Sequence, residues 1–380
     1  MKIKNTAKKR KFSPGSLCFG AIAVLSFFLI LGKSDVAIEY MGAGLSVCAK
    51  TIIPSLFPFM VISELLISSG IGELLGRLIS APSKFLFGVS GAGSCAFFLG
   101  LICGFPIGAK TAASMYEKGM ISREEFEHLL TFSNNPSSAF LISAVGISLF
   151  SDKNFGLLLY GCTVLSAGII GIAGRFIFRN KNKTDIVPVP SFAPKSSILQ
   201  FTSAVQSAAR GIITVCAYVI FFSAFVGCLG ATIREMGVPE FFGTVMFGFF
   251  ELTSGVCSAA VIGNFKTAAV LCAFFAGWSG LSVHFQIMSI CADKGISFRN
   301  YFLAKLCQGI LCAGLMILSL KFIYTKEPDF ADDVFLTLQG QNIPSPIITK
   351  IAIVSALIVL ILLFAIVFRN KIGVNKKRKN

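Results

Sequence analysis

Long apolar runs recur from one end of the chain to the other, and they constrain the fold more than any other feature. A helix that crosses the hydrocarbon core of a bilayer needs about 20 mostly apolar residues. Uninterrupted runs close to this length cover residues 17–32, 44–69, 155–178, 198–230, 298–324 and 347–368. Further runs, at 86–118, 122–150 and 239–292, are apolar but interrupted by glycine, proline or polar residues. We therefore predict an all-α, polytopic membrane protein.

The composition supports this class. Charged residues make up 14% of the chain, against about 25% in soluble domains. The first run, residues 17–32, follows basic residues as the apolar part of a signal peptide would. No small-residue cleavage site follows it, so we predict a span that is retained.

The formal charge of +16 is a property that nucleic-acid-binding proteins also have, but its distribution predicts membrane topology instead. Basic residues crowd residues 2–11, 175–195 and 369–379, beside apolar runs, which is typical of cytoplasmic segments. Acidic residues mark 33–40 and 325–346, which suits the outer side. We predict a multi-pass protein of the cell membrane with both termini cytoplasmic, partnered by the lipid bilayer and not by nucleic acid.

The sides of the membrane that the charges indicate are consistent with one another only if some apolar segments enter the membrane and return to the same side. Residues 86–118 would form a re-entrant hairpin with its tip near 104–108, and residues 239–265 a second one with a break at Glu251–Gly255. Residues 122–150 would form a span that begins with the capping sequence at Ser122 and breaks at Pro136. Residues 267–291 would break at 277–280. We predict about eight transmembrane helices plus two re-entrant helical hairpins.

The order span, hairpin, broken span, span occurs at 44–178 and again at 198–324, in opposite orientation. Inverted repeats with interrupted segments at matching positions are typical of secondary transporters, whose solutes bind near the midplane. The alternative is a set of kinked spans without symmetry. The predicted regions are 1–40 (basic N-terminus and first span), 41–178 (first repeat), 179–197 (cytoplasmic linker), 198–324 (second repeat), 325–346 (extracytoplasmic loop) and 347–380 (last span and basic tail).

The stretch GFPIGAKT, from Gly104 to Thr111, superficially resembles a phosphate-binding loop. A Walker A motif needs adjacent Gly and Lys, and here Ala109 separates Gly108 from Lys110, so we exclude a nucleotide site. An ionisable residue at membrane depth is a functional hypothesis. Lys110 would bind a solute anion or pair with Glu64 or Glu251. The alternative is a shallow hairpin from which Lys110 reaches water.

The breaks supply the other candidates, because freed N–H groups at helix ends suit anionic or polar ligands. Candidate solute-binding residues are Lys110, Thr111, Asn134, Asn135, Ser137, Glu251, Thr253, Ser254, Trp278 and Ser279. Candidate proton-coupling residues are Glu251, Glu64 and His284. The alternatives are buried ion pairs of the carboxylates with Lys50, Lys110 or Lys266, an interfacial anchor for Trp278, and a satisfied polar residue for His284.

Catalytic motifs such as Gly-x-Ser-x-Gly and His-Glu-x-x-His do not occur, and the twelve cysteines include no Cys-x-x-Cys pair. We predict no enzymatic activity, no metal and no cofactor. The expected partners besides lipid are a small polar solute and a coupling ion, and a homo-oligomer is compatible with the sequence.

Three motifs carry a resemblance to a known family. They are PSLFPFMVISELL at residues 54–66, GFPIGAK at 104–110 and FSNNPSSAF at 132–140. With these motifs the chain resembles the YlbJ-like sporulation integral membrane proteins, within the wider nucleoside-recognition (Gate) domain family. The second copy departs from the pattern, because ELTSG stands where the first has GFPIG.

The resemblance implies a multi-spanning protein of the cytoplasmic membrane that acts in spore formation and is related to nucleoside transporters. The expected function is to bind or transport a small polar solute, nucleoside-like or another metabolite. The alternative is a non-transporting scaffold or assembly protein needed for spore maturation.

Overall fold

The chain is entirely helical in the parts that the structure, a computed structural model, describes: residues 14–69, 80–178 and 197–322. The predicted regions 325–346 and 347–380, almost all of the linker 179–197, and the basic N-terminus before residue 14 lie outside these residues. The helices are α1 (Pro14–Gly32), α2 (Ser34–Val47), α3 (Ile53–Ser68), α4 (Ser80–Leu86), α5 (Gly91–Cys103), α6 (Ile107–Glu117), α7 (Arg123–Phe132), α8 (Lys153–Ile177), α9 (Ser197–Glu235), α10 (Glu240–Phe250), α11 (Leu252–Ala260), α12 (Phe265–Trp278), α13 (Gly280–Cys291) and α14 (Arg299–Phe322). Wider π-helical turns occupy Cys48–Ile52 and Ala139–Leu149.

Four to six membrane spans are present in these residues, by helix length and apolar composition. Continuous candidates are Lys153–Ile177, Ile198–Glu235, Phe265–Lys294 and Arg299–Lys321. The bent pairs Gly20–Gly32 with Ser34–Lys50, and Ser80–Leu86 with Gly91–Cys103, raise the number to six if each pair is one span. The predicted helices at 155–178, 198–230 and 298–324 are confirmed.

The acidic segment 33–40, which the sequence predicts to link two spans as a loop on the outer side, is helical instead, so the prediction of a loop is wrong. The chain bends by 99° at Lys33, and α2 begins at Ser34, so the acidic residues there are helical. Asp35 lies in the first turn of α2, where a carboxylate interacts favourably with the helix dipole. Packing against α9 fixes this geometry. Lys33 forms an ion pair with Glu235, and Gly44 allows the α2 backbone to lie against α9.

The chain reverses at both predicted hairpins. At the first, α5 and α6 meet through Gly100 and Gly108, and the tip passes through Gly104 at φ +81°. At the second, α10 and α11 meet through Gly248 and Gly255, with Glu251 as the sole residue between the helices. Because glycine has no Cβ, these backbones approach more closely than other residues would allow.

Each hairpin tip contacts the break in the helix that follows it. The N–H of Phe105 donates to the carbonyl oxygen of Asn135 at 2.8 Å, within the break that follows α7. In the second half, Trp278 Nε1 donates to the carbonyl oxygen of Phe249 at 3.0 Å. Ser279, at φ +76°, separates α12 from α13. The predicted interruptions at Pro136 and at 277–280 are therefore confirmed as breaks in the helices.

Helices of residues 41–178 pack against helices of residues 198–324 in several pairs. The final helix of the second half, α14, packs on α7, and the final helix of the first half, α8, packs on α12. Similarly, α6 packs on α13, and α11 packs on the π-helical segment Ala139–Leu149. The breaks and the hairpin tips thus lie where the halves meet.

Candidate functional site

The break after α7 is the polar centre of the molecule. Asn134 Oδ1 accepts from the N–H of Ala109 at 2.7 Å, and Asn134 Nδ2 donates to the carbonyl oxygen of Leu130 at 3.1 Å. Asn135 Nδ2 donates to the carbonyl oxygen of Phe132 at 2.8 Å. Pro136 has no N–H and disfavours a helical residue before it, so the sequence itself stops α7 here. Both asparagines are buried, and Asn134 fixes the break against α6.

Two buried polar side chains from α14 complete this centre. Lys305 Nζ donates to the carbonyl oxygen of Asn134 at 2.9 Å and to Gln308 Oε1 at 2.8 Å. Gln308 Nε2 donates to Asn135 Oδ1 at 2.7 Å. We call these four residues, Asn134, Asn135, Lys305 and Gln308, the break network. Both α14 side chains have 0% exposure, which is unusual for lysine.

Sequence reasoning missed Lys305 and Gln308, although a signal was present. Buried Tyr301, Lys305, Gln308 and Cys312 follow one another at helical spacing within the apolar run 298–324. An ionisable residue inside such a run is a functional hypothesis on the same grounds as Lys110.

Lys110 lies on α6, one turn from the hairpin tip, and retains only 9% exposure. Its Nζ donates to the carbonyl oxygen of Ser207 on α9 at 2.9 Å. The carboxylate of Glu64 attracts the ammonium group, and the guanidinium of Arg210 repels it. The side chain is directed at a neighbouring helix, and so the alternative of an extension into water is not favoured.

Glu64 makes its close contacts further along α6. Lys118 Nζ lies 3.3 Å from Glu64 Oε1, and Ser114 Oγ donates to the same oxygen at 3.1 Å. An ion pair was the alternative to a proton-coupling role, but its partner is Lys118 and not one of the predicted lysines. The pair ties α3 to α6.

Glu251 caps α11 at the second hairpin tip. Its carboxylate accepts from the N–H of Thr253 at 2.9 Å, and from the N–H and the hydroxyl of Ser254 at 2.7 and 2.8 Å. Trp278 stacks on Phe249 at 5.3 Å between ring centroids. The hydroxyl of Ser279 is 3.5 Å from the carbonyl oxygen of Ala276. The side chains of Glu251, Trp278 and Ser279 thus all form hydrogen bonds with backbone groups of the second half.

Ser137 and His284 are placed differently. Ser137 Oγ accepts from the N–H of Phe140 at 3.2 Å and restarts the helix after the break. His284 Nδ1 is 2.7 Å from Tyr301 Oη, and the imidazole lies edge-on to Trp278 at 4.3 Å. His284 therefore links the second break to α14, one helical turn from Lys305.

Some buried polar atoms around this region have no hydrogen-bond partner among the described residues. They are Thr111 Oγ1, Ser133 Oγ, Ser143 Oγ and His284 Nε2. Such atoms are rare in folded proteins, because leaving one unpaired costs about 1–3 kcal/mol. Ser133 directly precedes Asn134 of the break network, and Thr111 directly follows Lys110. Two of the unpaired atoms thus belong to residues adjacent in sequence to the buried polar side chains described above.

The fold and this site define a class: a multi-pass helical membrane protein in which a helical hairpin packs against a broken helix around a buried lysine. Within this class, the chain is similar to the sporulation integral membrane protein YlbJ of Bacillus subtilis (strain 168). The two are 28% identical over 367 residues, which cover 86% of this chain and 89% of that protein. This similarity supports the prediction that the chain is a sporulation-associated membrane protein.

No protein family model matches the chain, and no solved structure matches it. The resemblance to YlbJ-like proteins is therefore supported by the relative, whereas the wider relation to nucleoside-recognition (Gate) domains stays a prediction.

Proposed function

We propose that the protein binds a small polar solute at the break network and moves it across a membrane during spore formation. The observation that carries the proposal is Lys305, a lysine with 0% exposure whose hydrogen bonds join α14 to the break after α7. Intramembrane ionisable residues at a helix break mark solute pathways in transporters. The solute is nucleoside-like or another metabolite.

The arrangement of elements supports a transporter-like architecture. The reciprocal packing of α14 on α7 and of α8 on α12 is what a two-fold relation between halves produces. We propose an inverted repeat of residues 41–178 and 198–324, with about eight spans in the whole chain. Both termini are proposed to be cytoplasmic, as the basic ends of the sequence indicate.

The two buried lysines favour a solute with an anionic group, because an anion would compensate an ammonium group in the bound state. Lys110 and Lys305 are buried and donate to carbonyl or amide oxygens. Neither is within ion-pair distance of a carboxylate among the described residues. A buried cation is costly unless a counter-charge compensates it. The proposal involves no catalytic step, metal or cofactor, and a homo-oligomer stays open.

The direct test is uptake into proteoliposomes that contain the purified protein, screened with nucleosides and small organic anions. For a solute that is taken up, we expect Lys305→Met to reduce uptake at least tenfold, because it removes the polar centre of the break network. Lys153→Met, the same change at an exposed position at the start of α8, is expected to leave uptake unchanged. Uptake that is equal in both variants would contradict the proposed site.

A scaffold function is the second candidate, and one observation favours it. The break network and the Glu251 cap satisfy most of their hydrogen bonds within the protein, as a purely structural core would. A scaffold predicts that cells with Lys305→Met form mature, heat-resistant spores whenever the variant is present at wild-type levels in the membrane. A transporter predicts immature spores at the same protein level.

A further inference from the structure

The hydrogen bonds of Lys305 match a neutral amine better than a charged one. Its Nζ has two acceptors, the Asn134 carbonyl oxygen and Gln308 Oε1, and the described residues provide no third. A charged lysine carries three N–H donors, and its neutral form carries two. The two acceptors therefore satisfy both N–H groups of the neutral amine, whereas the charged form would leave one N–H without an acceptor among the described residues at a fully buried position.

The surroundings of Lys305 also lack a negative charge. The titratable groups that interact electrostatically with Lys305 are His284 and Cys312. The elements packed against α14, and α14 itself, also carry His128, Tyr160, Cys162, Cys272 and Tyr301. Imidazole, thiol and phenol groups carry no negative charge near pH 7. Of the three carboxylates of α7, Glu124 is exposed, Glu125 binds the N–H of Ser90 and Glu127 binds Arg123. A buried ammonium group without a counter-charge gives up its proton because the neutral form costs far less to bury.

We propose that Lys305 is a neutral amine in the solute-free protein and takes up a proton when an anionic solute binds. The step is balanced: the amine lone pair accepts one proton, and the ammonium group then donates its third N–H to the anion. The buried site is neutral before and after. Ser133 Oγ, which has no hydrogen-bond partner among the described residues, belongs to the residue directly before Asn134 and is a candidate second donor to the anion. This inference rests on the proposed function, and it assigns the coupling proton to Lys305 rather than to a carboxylate.

The protonation state can be tested without any solute, in phosphatidylcholine nanodiscs that contain no anionic lipid. In the unfolded chain a lysine binds a proton below about pH 10.4, whereas native Lys305 does not. The stability of the wild type should therefore fall as the pH falls from about 10 to about 8, where the unfolded chain binds this proton and the native protein does not. Protonation of this one lysine in the unfolded chain changes the folding equilibrium constant by up to about tenfold per pH unit. Lys305→Met should lose this component, and the control Lys153→Met should keep it.

An unchanged pH slope in Lys305→Met would overturn the inference. A second variant gives an independent readout, because arginine stays charged at this depth. A neutral lysine predicts that Lys305→Arg lowers the melting temperature more strongly than Lys305→Met does. If Lys305→Arg folds normally and Lys305→Met does not, the site holds a charged group and the inference is wrong.

Proton uptake on binding tests the coupling itself. Succinate and inorganic phosphate serve as anionic probes, and calorimetry in two buffers of different ionisation enthalpy counts the protons taken up. We expect one proton per bound anion in the wild type and at least tenfold weaker binding by Lys305→Met. Binding without proton uptake would overturn the inference and leave the proposed function standing. If neither probe binds and the uptake screen finds no solute, the proposed function is contradicted, while the pH slope still decides the state of Lys305.

Discussion

At the scale of single residues, substitutions of Glu251 distinguish a structural role of this carboxylate from a role in proton coupling. Its carboxylate caps α11 through the N–H groups of Thr253 and Ser254. Replacing a capping side chain by alanine costs about 0.5–2 kcal/mol. We expect Glu251→Ala to lower the free energy of unfolding by this amount. Glu251→Gln, which keeps one acceptor oxygen, should cost less and retain pH-dependent transport.

The same change at Glu240, an exposed residue at the start of α10, is the matched control. Thermal unfolding and the uptake assay give the two readouts. If Glu251→Gln is as stable as the wild type but its transport no longer depends on pH, the coupling proton belongs to Glu251 as the sequence predicted.

Residue identities at the site were predictable only in part. Asn134 and Asn135 follow from the local rule that Pro136 breaks a helix and frees polar groups. Lys305 was overlooked because its partner Asn134 is 171 positions away in sequence. The helical spacing from Tyr301 to Cys312 shows that Lys305 lies on a buried face, but it does not identify the segment that the face contacts.

At the scale of elements, the first hairpin depends on a close contact that only glycine permits. A methyl group built at Gly108 would lie 2.2 Å from the carbonyl oxygen of Ser133, and one at Gly100 would lie 2.0 Å from it. Overpacking of this kind costs about 1–3 kcal/mol. We therefore expect Gly108→Ala to destabilise the protein and to reduce uptake, because it pushes α6 away from the break.

Gly161→Ala in α8 is the control, and its expected effect on stability is opposite to that of Gly108→Ala. No atom lies within 4 Å of a methyl group built there, and alanine is the better helix former by about 0.5–1 kcal/mol. Gly161→Ala should leave the melting temperature unchanged or raise it. A Gly108→Ala protein that is as stable as Gly161→Ala would show that α5, α6 and the break are not packed in this way.

Hairpins and breaks were predictable because their causes are local. Glycine, proline and capping residues determine where a helix ends, and they stand in the sequence at the points where α5, α7 and α12 end. Gly32 accounts locally for the end of α1, but the immediate restart of a helix at Ser34 has no such local cause. It depends on the contact of α2 with α9, so the acidic composition of 33–40 was misleading as evidence for a loop.

At the scale of the whole molecule, helix lengths argue that the hairpins dip into the bilayer and return. At 1.5 Å per residue, the 13 residues of α5 span about 20 Å and the 11 residues of α6 span about 16 Å. Both fall short of the hydrocarbon core of about 30 Å. The same holds for α10 and α11, with 11 and 9 residues. Irregular backbone at this depth is tolerated because it is buried in protein.

This architecture predicts which ends of the hairpins share a side of the membrane. Four variants each introduce one new cysteine, in place of Lys84 or Glu117 at the first hairpin and of Met236 or Val261 at the second. In all of them the exposed Cys307 is changed to serine. A membrane-impermeant maleimide should label Lys84→Cys and Glu117→Cys from the cytoplasmic side. It should label Met236→Cys and Val261→Cys from the opposite side, because a re-entrant hairpin returns to the face from which it entered.

Lys153→Cys at the start of α8 sets the reference, since the inverted repeat requires it to react with the second pair. Intact and inverted vesicles prepared from the same cells supply the two sides. If Lys84→Cys and Glu117→Cys react from opposite sides, α5 and α6 cross the bilayer instead of returning. The orientation of every later helix would then reverse, and the break network would lose the midplane position from which a solute could reach either side.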